Sequence, residues 1–298
     1  MNTRAQIRML PDGRRLHMND GPIDLIVEAF GARGEILRAY ETAAERFVTV
    51  LDELCAELPQ LRQSPREDLT PRGVIAQRMT RVVSPYAKAA FITPMAAVAG
   101  AVAEEILAAM VAATTLSKAY VNDGGDIALY LAPGQEFSIG MVERPDRPSL
   151  FGTLRIRSAD AIRGIATSGW RGRSFSLGIA DAVTVLAGSA ASADAAATMI
   201  ANAVDLPRND KIVRVPAREL APDSDLGDRL VTQSVAPLTA NEVRKAVDAG
   251  ANFAQKLRNE DLLVAAALCL QGETRIIGSQ SELMSQTNVR QGRTLVHA

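Results

Sequence analysis

The sequence predicts an α+β protein built of antiparallel sheets and packed helices. Three observations predict it. Short β-type runs come in pairs around Asx, Gly and Pro turns, and between them lie helical stretches with apolar residues at steps of three and four. The order strand pair, long helix, strand pair recurs before and after the centre of the chain, which points to two similar halves.

Taken in order, Gln6 to Leu10 and Arg14 to Met18 flank Pro11-Asp12-Gly13, a turn-forming combination, and predict a hairpin. Ile23 to Phe30 is rich in β-branched and aromatic residues, is ended by Gly31 and Gly34, and completes a small antiparallel sheet. Leu37, Tyr40, Ala44, Phe47, Leu51, Leu54 and Leu58 mark one amphipathic helix from Glu35 to Leu58, which Pro59 is expected to stop. Gln60 to Arg81 is polar and carries Pro65, Pro71 and Gly73, so it reads as a surface connection with its bases in solvent.

Thr93-Pro94 opens a second helix over Met95 to Thr114, with Thr as cap and Pro in the first turn. Its residues are nearly all small and apolar except Glu104 and Glu105. Either at least one of these faces a site or a subunit boundary, or both reach solvent at the helix edge. Ala119 to Val121 and Ile127 to Leu131 are strands joined by Asn122-Asp123-Gly124-Gly125-Asp126. Such a turn closes many hairpins, and its glycines also let a ligand approach the backbone. Gln135 to Val142 and Leu150 to Arg157 are further strands, linked by the proline-rich Arg144 to Pro148.

The centre runs from Gly164 to Val204. Two β-type runs, Ile162 to Thr167 and Val183 to Leu186, feed polar turns, and the second leads through Gly188 and Ser189 into a small-residue helix carrying Ser192, Asp194 and Thr198. Asp194 and Thr198 are four apart and share one helix face, where a carboxylate and a hydroxyl can hold a hard cation such as Mg²⁺. On spacing alone the commoner reading is that Ser192 caps the helix and Asp194 complements its dipole. Beyond the centre, Pro207 to Asp228 is polar and proline-broken, Ala240 to Arg258 is a helix with a Thr239/Glu242 capping box, and Leu262 to Leu270 with Thr274 to Ile277 form a closing hairpin.

Composition narrows the function classes. The chain has 298 residues, 47% hydrophobic and 22% charged, enough for one large domain or two ordinary ones. A net charge of −1 and a pI near 6.2 give no overall attraction to nucleic acid or an anionic membrane. Cys55 and Cys269 lie in apolar runs, and with His17 and His297 near opposite ends of the chain a zinc site is not expected. Met1 to Gly13 lacks the apolar core of a signal peptide, and Ala89 to Thr114 is broken by Pro94 and Glu104-Glu105. Its uninterrupted part is shorter than the ~20 residues that span a bilayer, so a buried helix and a cytoplasmic location are expected.

The motifs Asn122-Asp123-Gly124-Gly125-Asp126, Ile165-Ala166-Thr167-Ser168-Gly169, Val183-Thr184-Val185 and Ala193-Asp194-Ala195-Ala196-Ala197-Thr198 occur in the order and spacing of the ApbE family. The wording Ser-Phe-Ser-Leu-Gly-Ile-Ala-Asp and Ala-Thr-Met-Ile-Ala-Asn-Ala-Val further resembles its shorter, uncharacterised branch. The resemblance covers roughly residues 20 to 205, leaving 205–298 as a C-terminal extension of one ApbE-like unit. It implies tandem T-fold-like halves and Mg²⁺-dependent transfer of FMN from FAD to a hydroxyl of an acceptor flavoprotein.

By the same resemblance Asp194 and Thr198 bind the metal, with the carbonyl of Ala103. Asn122, Gly124, Gly125, Asp126, Thr167, Ser168, Gly169 and Asp181 would line the nucleotide cleft, Asp181 otherwise tying down the turn before its strand. No catalytic residue is assigned. Glu104-Glu105 stands where transferases have a Lys-Gly pair, and the family's His-Ile-Ile-Asp-Pro segment is missing, since Arg173-Ser174-Phe175-Ser176 runs almost directly into Gly178 and Asp181. Arg171 or Arg173 supplies the missing charge, or both are exposed loop arginines. Three readings stand: a nucleotide- and metal-binding protein with or without transferase activity, a non-catalytic accessory module or homo-oligomeric scaffold for redox enzymes, and the same fold with another small phosphate or acid as ligand.

Overall fold

The computed structural model describes residues 4–66, 70–142, 150–278 and 295–297. The Arg144 to Pro148 link lies outside them. Two compact units divide the chain: Met1–Phe137, Ile156–Ile165 and Gly188–Ala193 form the first, and Ser138–Arg155, Ala166–Ala187 and Asp194–Ala298 the second.

In the first unit β1 (Gln6–Met9) and β2 (Leu16–Asp20) form the expected hairpin. Asp12 fixes its turn by accepting the backbone N–H groups of Arg14 and Arg15 at 2.9 and 3.0 Å. Then β3 (Ile23–Gly31), β4 (Leu116–Asp123) and β5 (Asp126–Leu131) add in antiparallel order, and the first residues of β8 (Gly164–Ser168) pair with β5. Alternate residues Leu16, Met18, Leu25, Val27, Ala119 and Val121 are buried in one core with residues of the helices.

The helices correct three expectations. α1 (Arg33–Leu61) runs through Pro59, which sits in the last turn, where losing one hydrogen bond to the preceding turn does not end the helix. Its buried stripe is Ala39, Tyr40, Ala43, Phe47, Val50, Leu54 and Leu61, while Leu37 and Cys55 are exposed. Within the expected connection lies α2 (Val74–Ala87), which buries Ile75, Met79, Val83 and Tyr86. Its start is held from α1, where Glu57 accepts the N–H groups of Arg72 and Gly73, both at 2.7 Å.

Thr93 precedes a single 3-10 turn, Pro94–Ala97, and makes no side-chain capping bond; α3 (Val98–Ala113) follows. The stretch Pro94–Ala113 is long and apolar enough to cross a membrane by length and composition. It packs instead as a core helix on α1, β4 and β5, burying Val102, Ala103, Ile106 and Met110.

In the second unit the end of β8 is followed in the sheet by β9 (Ala182–Ala187), β12 (Ala265–Leu270) and β13 (Glu273–Ile277). Helix α6 (Ala240–Asn259) packs on β12 and β13. Its capping box forms as expected, with Thr239 accepting from Glu242 N and Glu242 accepting from Thr239 N. The stretch expected only to be polar and broken contains β10 (Ile212–Pro216) and a short helix α5 (Ala217–Leu220). β10 pairs with β11 (Leu230–Val235). β6 (Glu136–Val142), β7 (Leu150–Arg157) and β14 (Leu295–His297) make a third small sheet.

Helix α4 (Ala190–Ala203) begins in the first unit and continues into the second. Its cap is Ser189, not Ser192. The Ser189 hydroxyl accepts Ser192 N at 3.2 Å and its carbonyl accepts Ala193 N at 3.0 Å.

Two predictions follow from these junctions. A Cβ on Gly164 would lie 2.1 Å from the Ser189 carbonyl carbon and 2.2 Å from Ala190 N, whereas one on Gly188 would meet nothing closer than 3.7 Å. Gly164→Ala is expected to lower stability by about 1–3 kcal/mol by overpacking, and Gly188→Ala to change it by no more than about 0.5 kcal/mol; urea unfolding of the two variants checks this. In the second unit Glu242 accepts Lys211 Nζ at 2.7 Å, Thr239 N at 2.7 Å and Asn209 Nδ2 at 2.9 Å. These contacts, Lys211 first, pull its carboxyl from 4.5 to about 2. A depressed folded pKa stabilises above the unfolded value and is lost as pH falls through the folded one. The gap in melting temperature between the wild type and Glu242→Gln should therefore be full at pH 7 and close as the pH falls from 4.5 towards about 2.

Candidate functional site

Helix α4 is almost entirely small because its surroundings leave no room. Ala190, Ala191, Ala193, Ala195, Ala196, Ala197, Ile200 and Ala201 are all fully buried. Asp194 and Thr198 stay partly exposed, one turn apart, as the spacing requires. The helix thus presents a carboxylate and a hydroxyl on one accessible stripe between buried alanines. Both are hard oxygen donors.

The rest of the second unit's candidate residues surround the β8 and β9 ends. Thr167 and Thr184 hydroxyls meet at 2.9 Å between the two strands, and Ser168 is partly exposed at the end of β8. Gly169 is a packing requirement, since a Cβ there would lie 2.6 Å from the Asp181 carbonyl oxygen. Asp181 is buried and accepts from three donors: Arg171 Nε at 2.6 Å, Gln271 N at 2.6 Å and Trp170 Nε1 at 3.2 Å. Arg171 also stacks on Trp170, its Cζ 4.3 Å from the ring centre, so its charge is committed to this clamp. Arg173 is exposed. Asp181 therefore ties the Trp170–Arg171 loop to the β12–β13 turn.

The shared Ser-Leu-Gly-Ile-Ala wording has a structural use too. Leu177 N donates to Asn202 Oδ1 at 2.9 Å and Ile179 N to Val204 O at 2.8 Å. A Cβ on Gly178 would lie 2.1 Å from Ala201 O. That segment lies directly along the C-terminal half of α4.

In the first unit Asn122 Oδ1 accepts Gly125 N at 2.8 Å, and Gly124 and Gly125 take φ of +63° and +118°. Asp123 pairs with Asp126, so the turn is a two-residue hairpin that needs its glycines. Ala103 is fully buried in the middle of α3, where its carbonyl belongs to the helix ladder.

Glu104 and Glu105 do not reach out to solvent. Glu104 Oε1 accepts Ala191 N at 2.7 Å, at the head of α4, while its Oε2 lies 3.1 Å from Arg78 Nε. Glu105 accepts both terminal nitrogens of Arg78 at 3.1 Å and Arg46 Nε at 2.9 Å. Arg46 in turn holds Glu53 bidentately at 2.8 and 2.7 Å, a contact that raises the Arg46 pKa and lowers that of Glu53. Two arginines thus answer the two acidic residues.

Arg78 is the important residue that sequence reasoning missed. It lies in the segment read as a loop, although Ile75, Met79 and Val83 recur there every four residues. That period was the available signal.

With this geometry in place, the likeness to known proteins can be stated. A family model described as AbpE bacteria matches residues 7–276. A UPF0280 protein of Methanopyrus kandleri is 38% identical over 128 residues, 43% of this chain and 48% of its own length. A UPF0280 protein of Methanothermobacter thermautotrophicus is 31% identical over 163 residues, 53% of this chain and 62% of its own. The chain thus spans about half the length of the curated relatives it matches. The apo flavinyl transferase ApbE of Pseudomonas stutzeri superposes with a TM-score of 0.40 at 11% identity, over 93% of this chain and 94% of that one. The extent of the family match, together with the ordered motifs on β8, β9 and α4, makes this chain a member of the AbpE bacterial family, within the ApbE-like group.

Proposed function

We propose that this protein binds a flavin nucleotide, FAD in the first instance, together with a divalent cation, and that Asp194 and Thr198 hold the cation. The observation that carries this reading is that Asp194 and Thr198 are partly exposed one turn apart, with the alanines between them, Ala195, Ala196 and Ala197, fully buried. The donor set suits Mg²⁺, which takes few protein oxygens and keeps places for water and phosphate. Among the described residues no group of three His, Cys, Asp or Glu side chains could hold a metal unaided. A cation is therefore expected to come with the phosphates it neutralises.

Bound there, the cation would withdraw charge from a diphosphate. Asp194 would supply a carboxylate oxygen and Thr198 a neutral oxygen one turn later. Thr167, Ser168 and Gly169 form the turn proposed to meet the nucleotide. Asp181 holds the following loop rigid through Arg171, Trp170 and the Gln271 amide. FMN transfer would join an acceptor hydroxyl oxygen to the FMN phosphorus and release AMP, and it needs a base for the hydroxyl proton. No residue of this chain is assigned that role, and an acceptor flavoprotein belongs to the proposal only with that step.

A second reading, a non-catalytic module that retains the fold, is favoured by Glu104. Where related transferases are expected to carry a lysine, this carboxylate accepts the Ala191 N–H at the head of α4. A bound phosphate would otherwise be suited to such an N–H. This reading keeps the ligand and drops the turnover.

Calorimetric titration of the chain with FAD separates the readings. Binding is expected only with Mg²⁺ present, Asp194→Ala should weaken it by about tenfold or more, and Thr198→Val should weaken it less. Binding that ignores Mg²⁺ or survives Asp194→Ala unchanged would reject the site. AMP release from FAD on prolonged incubation would reject the non-catalytic reading.

A further inference from the structure

The first unit contains a cleft of about 280 Å³ lined by Leu107 and Val111 of α3, Tyr130 of β5, Arg163 just ahead of β8, and Arg78 with Glu104. None of the residues proposed above to hold cation or nucleotide lines it. One wall is apolar and the other carries charge, the pattern of a site for a small amphipathic molecule.

The charge has a definite arrangement. Arg163 Nη1 donates to the carbonyls of Asp160 and Ile162 at 2.7 and 2.6 Å, and Nη2 to that of Ser158 at 2.6 Å. These neutral acceptors fix the guanidinium in place without answering its charge, and they use three of its five donors. Tyr130 is half-buried, and its hydroxyl bonds to no group among the described residues. Arg163, with two donors left over, and Tyr130 therefore line the same space, beside the apolar wall.

Counting charges selects the ligand class. Arg78 and Arg163 against Glu104 leave the lining at +1, and the network behind it, Glu105, Arg46 and Glu53, brings the group to zero. A monoanion balances the one charge here, that of Arg163, which no carboxylate among the described residues answers, whereas a phosphate monoester dianion would bring one charge more than that arginine neutralises. We propose that this cleft binds a monocarboxylate with a compact apolar body. Its carboxylate is received by Arg163 and Tyr130, and its chain lies on Leu107, Ala108 and Val111.

Calorimetric titration of the full chain with octanoate tests this, with octan-1-ol and octyl phosphate as controls. Octanoate is expected to bind saturably at one site, octan-1-ol at least about tenfold more weakly for want of the charge-assisted bonds, and octyl phosphate no more tightly than octanoate. Tyr130→Phe should weaken octanoate severalfold, and Val111→Trp, which puts a bulky side chain into the cleft, should abolish binding. Asp194→Ala should leave octanoate binding intact, so this proposal and the nucleotide reading fail separately. No saturable octanoate binding at millimolar concentration, equal binding of octan-1-ol, undiminished binding in Val111→Trp, or loss of it in Asp194→Ala would each overturn the proposal.

Discussion

The arrangement of the first unit depends on how tightly the chain is held at Ser189, Ala190 and Ala191. Gly100 of α3 and Gly164 of β8 both press on this short stretch, at distances where a Cβ would stand 2.4 Å from Ala190 O and 2.1 Å from Ser189 C. Close packing of this kind has no slack, so neighbouring elements share one solution. Glu104 completes the grip by accepting Ala191 N, and Ser189 caps the helix that starts there.

The acidic pair on α3 takes its meaning from the same junction. Arg78 and Arg46 make it part of a half-buried network in which each carboxylate meets at least one guanidinium. Such networks contribute little net stability, because desolvation offsets most of the attraction, but breaking one partner leaves an uncompensated charge. The acidic pair thus comes with an arginine from another helix, Arg78 of α2, and with one carboxylate, Glu104, turned inward to hold backbone.

Much of this was legible where the determining contacts are local. The Pro-Asp-Gly hairpin, the Thr239/Glu242 box, the closing hairpin and the Asp194/Thr198 face all depend on residues within a few positions of each other, and spacing suffices to find them. What depended on distant partners was not legible. Glu57 holds the start of α2 across 15 and 16 residues, and Glu104 reaches Ala191 across 87, so neither the point where α2 begins nor an inward Glu104 follows from local pattern, although the period of Ile75, Met79 and Val83 marked a helix there. Pro59 misled because a proline in a last turn costs only one bond. Asp181 and Gly169 looked like ligand contacts, and the structure gives each a packing or clamping role as well.

We propose that Asp194 and Thr198 form the cation-holding face of a nucleotide site. The most direct test is a crystal structure of the chain grown with FAD and Mn²⁺, with anomalous scattering used to locate the metal. The account predicts a manganese peak bonded to the Asp194 carboxylate and the Thr198 hydroxyl and bridged to phosphate oxygens of FAD. Ordered FAD with its metal bound elsewhere, or with no metal at that helix face, would contradict it.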